Sequence, residues 1–286
     1  MWTRGLARWY DVHGRHDLPW RAATDPWAIL VSEVMLQQTQ VARVAGRWES
    51  FLKRWPAPDA CAAAPLSDVL REWQGLGYPR RARGLHDTAT VVATTGWPDG
   101  EEGLLTLPGV GRYTARALRV LAFGDSTVPP QDVNIARVTA RAALGKEPGG
   151  VRQSMLEEQL AAGNPKGMTA RAFTYALFDV GALHCRAKPR CNGCPLAATC
   201  ASRDRLAESS PPPGRRQPAF RGSARELRGA VLRAMLAAPT PASIAELQSR
   251  AGAPAAGRTA SDIAYVLDTL VHEGLVSPTP RMVRIK

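Results

Sequence analysis

Through most of residues 1–205, apolar positions recur at helical spacing, with short polar connections between the runs. Asp25-Pro26 supplies an N-cap followed by proline at the first helical position, and Trp27, Leu30, Val31 and Val34 then line one apolar stripe. Opposite that stripe, the same predicted helix carries a polar one of Glu33, Gln37 and Gln40. A second helix start stands at Pro65-Leu66-Ser67-Asp68; Val69, Leu70 and Trp73 face inward, and Gly75 and Gly77 close the helix. Alternating runs of β-branched residues are scarce, so the main body is predicted all-α.

The pattern breaks at residues 207–224, AESSPPPGRRQPAFRGSA, whose Pro, Ser, Gly and Arg predict an extended linker. Beyond it, residues 225–286 predict a small second domain. Helical patterns run over about Glu226–Ala237, Pro241–Arg250 and Ser261–Glu273, and Gly274 stops the last. Leu275–Ser277 and Met282–Ile285 then pair as a hairpin around Pro278 and Pro280. Three helices and a ribbon resemble a winged helix; a plain helical packing domain fits the pattern equally well, because the third helix carries little positive charge.

Composition narrows the partners. The 286 residues carry a formal charge of +12, with arginine far ahead of lysine, which points to phosphate-rich polymers or acidic surfaces. No run approaches a membrane span, so a soluble protein is expected. All eight tryptophans lie at or before Trp97.

Four of the five cysteines, Cys185, Cys191, Cys194 and Cys200, fall in one C-x5-C-x2-C-x5-C run. The opening MWTRGLARWY lacks the apolar core of a secretory signal, so the cluster is expected to bind metal rather than form disulfides. A single C-x2-C between two lone cysteines suits a 4Fe–4S cube somewhat better than zinc, though spacing alone leaves both open. Cys61 is expected to be an inert core thiol.

The run Leu107-Pro108-Gly109-Val110-Gly111-Arg112-Tyr113-Thr114-Ala115 precedes a strong helical pattern over Tyr113–Ala122. Gly109 and Gly111 would allow a sharp turn and leave backbone N–H groups open to phosphate at a helix start. This hairpin resembles that of the helix–hairpin–helix repair glycosylases. LPWR at Leu18–Arg21, SEVMLQQTQV at Ser32–Val41, GLGY at Gly75–Tyr78, DVNIARV at Asp132–Val138 and the cysteine run follow the order found in adenine-specific mismatch glycosylases of the MutY type.

The resemblance covers about residues 15–202 and implies a mainly α, two-lobed helix–hairpin–helix glycosylase fold over 1–206, including a 4Fe–4S loop at 185–200. It implies a monofunctional adenine glycosylase of base-excision repair, acting on adenine opposite 8-oxoguanine or guanine in double-stranded DNA. The protein would be a monomer without membrane association, in a bacterial cytoplasm at the nucleoid. Glu33 would protonate the departing purine at N7, Asp132 would stabilise the cationic sugar, and Asn134 would orient Asp132. Their environments are expected to push Glu33 up in pKa and Asp132 down. Tyr113 stands where bifunctional relatives such as endonuclease III place a Schiff-base lysine, which argues against strong lyase activity. Leu18, Trp20 and Arg21 would line the base pocket, and Gln38 would fill the space the flipped base leaves. Tyr78, Gly109 and Gly111 would contact DNA, while Arg186, Lys188 and Arg190 would track phosphates.

Four departures accompany the resemblance. Five residues separate Cys185 from Cys191, where the family usually has six. Pro79 follows Tyr78 where a second tyrosine is common, and Tyr175 replaces a usual Glu or Gln. The tail is too short and too helical for the nucleotide-hydrolase-like domain of many members; shorter tails occur in actinobacterial-looking ones, and the Ala/Arg/Pro-rich composition fits a high-GC genome. Two other functions compete. One is a glycosylase for uracil or thymine opposite guanine, disfavoured because a pyrimidine offers Glu33 no N7. The other is a non-enzymatic iron–sulfur DNA-binding regulator, which leaves the Glu33–Asp132 pair unexplained.

Overall fold

A computed structural model describes residues 1–203, 219–237, 242–279 and 282–285. Its helices, in chain order, are α1 (Leu6–His13), α2 (Pro26–Leu36), α3 (Val41–Arg54), α4 (Pro58–Ala62), α5 (Leu66–Glu72), α6 (Arg80–Thr95) and α7 (Gly100–Leu105). They continue with α8 (Arg112–Leu118), α9 (Val133–Leu144), α10 (Gln153–Gly163) and α11 (Ala170–Leu183). After the predicted linker, most of which lies outside the described residues, come α12 (Ala224–Ala237), α13 (Ile244–Ala251) and α14 (Ala260–His272). Strands β1 (Val276–Thr279) and β2 (Met282–Ile285) pair antiparallel, Val276 opposite Ile285 and Thr279 opposite Met282. No helix among the described residues is long and apolar enough to cross a membrane.

The chain forms two compact units, each assembled from separated segments. One comprises Met1–Glu33, Pro98–Thr106 and Val110–Pro213. Its core packs α9 against α11 and α10 through the fully buried Ile135, Val138, Leu160, Phe173, Leu177 and Val180. Each such large apolar side chain contributes about 1.5–3 kcal/mol on burial. The contact between α9 and α11 depends on Gly181, where an added Cβ would lie 2.7 Å from that of Asn134. The N-terminus is tied down by Thr3, whose hydroxyl donates to the Gly163 carbonyl at 2.6 Å.

The other unit comprises Val34–Trp97, Leu107–Gly109 and the C-terminal segment. Its core includes Val44, Phe51, Val69, Ala82 and Ala89, together with Cys61, whose buried thiol is pushed up to about 12 as expected of an inert core residue. Arg71 on α5 donates to the Leu236 carbonyl and Arg83 on α6 to the Glu273 carbonyl, which fastens the C-terminal helices to the same unit. Capping boxes at Ser243 and Thr259 start α13 and α14.

Candidate active site

Asp25 begins α2 as its sequence suggests, accepting from the Ala28 N–H at 2.8 Å. The helix ends at Leu36, however, so the polar stripe expected along it does not form: Gln37 and Gln38 lie in a turn and Gln40 is the N-cap of α3. Glu33 stays on α2 and is 6% exposed. Burial pushes its pKa up to about 7; a hydrogen bond from the Tyr113 hydroxyl and the Arg21 charge oppose the rise, and the Asp132 charge adds to it. The Tyr113 phenol, on the first turn of α8, is held well above its usual range by burial and by both carboxylates, so it remains a donor.

Asp132 caps α9. Its Oδ1 accepts from the N–H groups of Asn134 (2.9 Å) and Ile135 (2.7 Å), and its Oδ2 accepts from Asn134 Nδ2 at 2.7 Å. The expected downward shift does not occur: burial raises the Asp132 pKa despite those donors and the nearby Arg137 charge. Desolvation outweighs the helix terminus here. Arg137 continues the chain of contacts, donating to Asn134 Oδ1 at 2.8 Å and to the carbonyls of Gly181 (3.0 Å) and Cys185 (2.6 Å). Glu33, Tyr113, Asp132 and Asn134 therefore form one cluster.

Arg21, expected among the pocket-lining residues, is held in a buried ion pair. Its side chain is 5% exposed and pairs with the fully buried Asp179 at 2.8 Å, which also takes Arg15 at 2.6 Å. The Arg21 guanidinium lies 4.0 Å above the Tyr175 ring, whose phenol burial pushes up to about 12. Arg21 thus acts on the site as a fixed charge felt by Glu33. Sequence reasoning missed Asp179; its position within AFTYALFDVG, an acid in an otherwise apolar helix, was the available signal. Trp20 is buried and Leu18 half-buried in the turn before α2.

Cys185, Cys191, Cys194 and Cys200 line a single cavity beneath α9 and α11, with Val138 and Leu196 in its wall. Among the described residues, no group of three or more His, Cys, Asp or Glu side chains is placed to hold a single metal ion. Burial raises Cys194 to about 11, and its three partner thiols add to the rise. Arg141, 1% exposed, sits beside them with Nη1 3.9 Å from Cys185 Sγ and a bidentate pairing to Glu147. Arg186, Lys188 and Arg190 are exposed on the loop between the first two cysteines, although Arg186 Nε is held by the Ala182 carbonyl.

In the hairpin, Gly109 takes φ +76° and approaches Gly84 closely, whereas Gly111 is extended and caps α8 with open space around its Cα. Only the first glycine is demanded by backbone conformation. Gln38 and Tyr78 are exposed.

Known proteins resemble this chain over most of its length. The signature described as "HhH-GPD superfamily base excision DNA repair protein" matches residues 31–161. An adenine DNA glycosylase of Mycobacterium tuberculosis is 43% identical over 270 residues, 92% of this chain and 83% of that one. The chain belongs to the adenine DNA glycosylase family. Another member, from Mycolicibacterium smegmatis, is 41% identical over 96% of this chain and 92% of its own, an alignment long enough to take in the C-terminal helices. Among solved structures, a thermostable thymine-DNA glycosylase superposes with a TM-score of 0.63 at 28% identity, over 70% of this chain and 94% of that one. Helix–hairpin–helix glycosylase architecture is thus shared well outside the adenine-specific family.

Proposed function

We propose that the protein is a monofunctional DNA glycosylase that hydrolyses the bond between adenine and deoxyribose in a mismatched duplex, opposite 8-oxoguanine or guanine. The observation that carries this reading is the buried Glu33, raised to about 7 and hydrogen-bonded by Tyr113 within the reach of Asp132. A carboxyl poised near neutrality holds a proton for a leaving group and can afterwards take one from water. Glu33 delivers its proton to the purine N7 as the C1′–N9 bond breaks. Asp132 carries the complementary negative charge that favours the cationic sugar, held in place by Asn134 and two backbone N–H groups. Water then adds at C1′ and the bound proton balance is restored through Glu33. Tyr113 has no amine with which to form an imine, so the strand is left uncut at the abasic product.

Gln38 and the Tyr78–Pro79 turn meet the duplex where the base has left, Leu18 and Trp20 bound the pocket, and the hairpin with Arg186, Lys188 and Arg190 follows phosphates. The four thiols fit a 4Fe–4S cluster: they line one cavity, and the Arg141 guanidinium beside Cys185 Sγ would offset a cluster's negative charge. Cys185, Cys191, Cys194 and Cys200 would hold it. When bound, such a cluster supplies a fourfold cross-link that shapes the basic loop.

Release of free base from duplexes carrying A opposite 8-oxoguanine, A opposite G, U opposite G and T opposite G tests the reading. Adenine release alone is expected. Release of uracil or thymine without adenine overturns it in favour of the pyrimidine-specific alternative.

A further inference from the structure

Among the described residues, only two non-glycines hold left-handed backbone: Gln38 at φ 55° and Tyr78 at φ 48°. That conformation crowds Cβ against the following carbonyl, so it persists only where the surroundings impose it. Both residues are exposed, Tyr78 by 41%.

One guanidinium reaches both turns. Arg81 Nη1 donates to the carbonyls of Val34 (2.7 Å), Met35 (3.2 Å) and Gln37 (2.5 Å), the open C-terminal end of α2 just before Gln38. Its Nη2 donates to the carbonyls of Leu76 (2.9 Å) and Gly77 (3.0 Å), immediately before Tyr78, and to Thr39 Oγ1 at 3.2 Å. Thr39 Oγ1 also lies 3.3 Å from the Leu76 carbonyl, and the guanidinium stands 5.5 Å from the Tyr78 ring centroid. Burial lowers the Arg81 pKa to about 10, so it remains a cation at neutral pH. A lysine ammonium is a single point and cannot present donors on two sides as this planar fork does.

We infer that Arg81 is a positioning residue for mismatch recognition: it locks the Gln38 and Tyr78 turns into one rigid pair, so that both side chains are already set when the duplex arrives. The inference rests on the reading that Gln38 and Tyr78 enter the mismatched duplex. Preorganisation of this kind acts on binding preference, because ordering two exposed turns on the DNA would otherwise oppose association.

The test is a mutant cycle in the full-length protein. Affinity is measured for a duplex with uncleavable 2′-fluoro-adenosine opposite 8-oxoguanine, relative to a matched duplex. Arg81→Lys is expected to reduce the mismatch preference about tenfold in the otherwise native chain, and by less than about twofold when Gln38→Ala and Tyr78→Ala are already present. An equal loss in both backgrounds marks a general structural role and overturns the inference, as does no loss in either. If Gln38→Ala with Tyr78→Ala leaves the preference unchanged by itself, the underlying reading of those residues fails, and the inference with it. Should Arg81→Lys not fold, hydrogen exchange of the unaltered protein decides: amides at 37–40 and 76–78 are expected to open together in one step. Independent opening of the two turns overturns the shared lock.

Discussion

At Glu33 the side chain is buried and the backbone is ordinary helix; a few residues later, at Gln38, the side chain is exposed and the backbone is left-handed. The Glu33 cluster depends on removing side chains from water, which raises a carboxyl to about 7 and keeps a phenol protonated beside it. The Gln38 and Tyr78 turns instead keep side chains in water and invest in backbone geometry, maintained by Arg81. Chemistry needs a dry, electrostatically tuned pocket. Recognition needs reach and a fixed direction. The same protein answers the two demands with opposite local physics.

The largest effect that can break this contrast is on the chemical side. Glu33→Gln is expected to lower single-turnover adenine release by about 10²–10⁴-fold while mismatch binding persists, because a neutral amide fits the buried position and cannot give up the proton. Comparable loss of binding and turnover would mean that the residue holds the fold rather than the reaction.

Next comes the support beneath it. Asp179→Asn removes the charge facing Arg15 and the buried Arg21, and is expected to cost about 3–5 kcal/mol in chemical denaturation. A change below about 1 kcal/mol would show the pair to be water-screened and the pocket wetter than its burial indicates.

Burial of Glu33 also predicts a pH-linked stability. Its pKa in the folded chain, about 7, lies above the ordinary carboxylate value of 4.5. Between those values the folded state keeps a proton that the unfolded state has lost, so stability falls as pH rises through the window. Glu33→Gln removes this loss. Its stability relative to the native chain is expected to improve by about 3 kcal/mol between about pH 4 and about pH 8, read from denaturation midpoints at each pH. The raised Asp132 contributes with the same sign in both proteins. A pH-independent difference would remove the argument from desolvation.

The smallest effect lies in the exposed turns. Gln38→Gly relieves the left-handed backbone and is expected to stabilise the fold by up to about 1 kcal/mol while weakening mismatch binding. Gain in one property with loss in the other sharpens the contrast; loss in both would mean the side chain has a packing role.

How much of this was legible in the sequence follows from the range of the interactions involved. Helix starts at Asp25 and Asp132 were readable because a cap is set by a few adjacent residues. The motifs around Glu33, Tyr113 and the cysteines carried the family, and the structure brings the first two together with Asp132. The end of α2 at Leu36 was not readable, because it depends on Arg81, far along the chain, taking the terminal carbonyls. The direction of the Asp132 shift failed for a related reason. Local donors can be counted from a sequence, whereas desolvation sums over the whole fold. Arg21 was assigned to the pocket by its motif, and only the folded chain shows Asp179 beneath it.

The most direct test of the central claim is the pH profile of single-turnover adenine release with enzyme in excess of DNA but below saturation, which reports the free protein. With Glu33 as the buried proton donor, the rate should fall with rising pH along a limb centred near 7, and Glu33→Gln should show only a low residual rate without that limb. A native rate that stays level to about pH 9, or a Glu33→Gln variant that follows the native profile, would contradict the account.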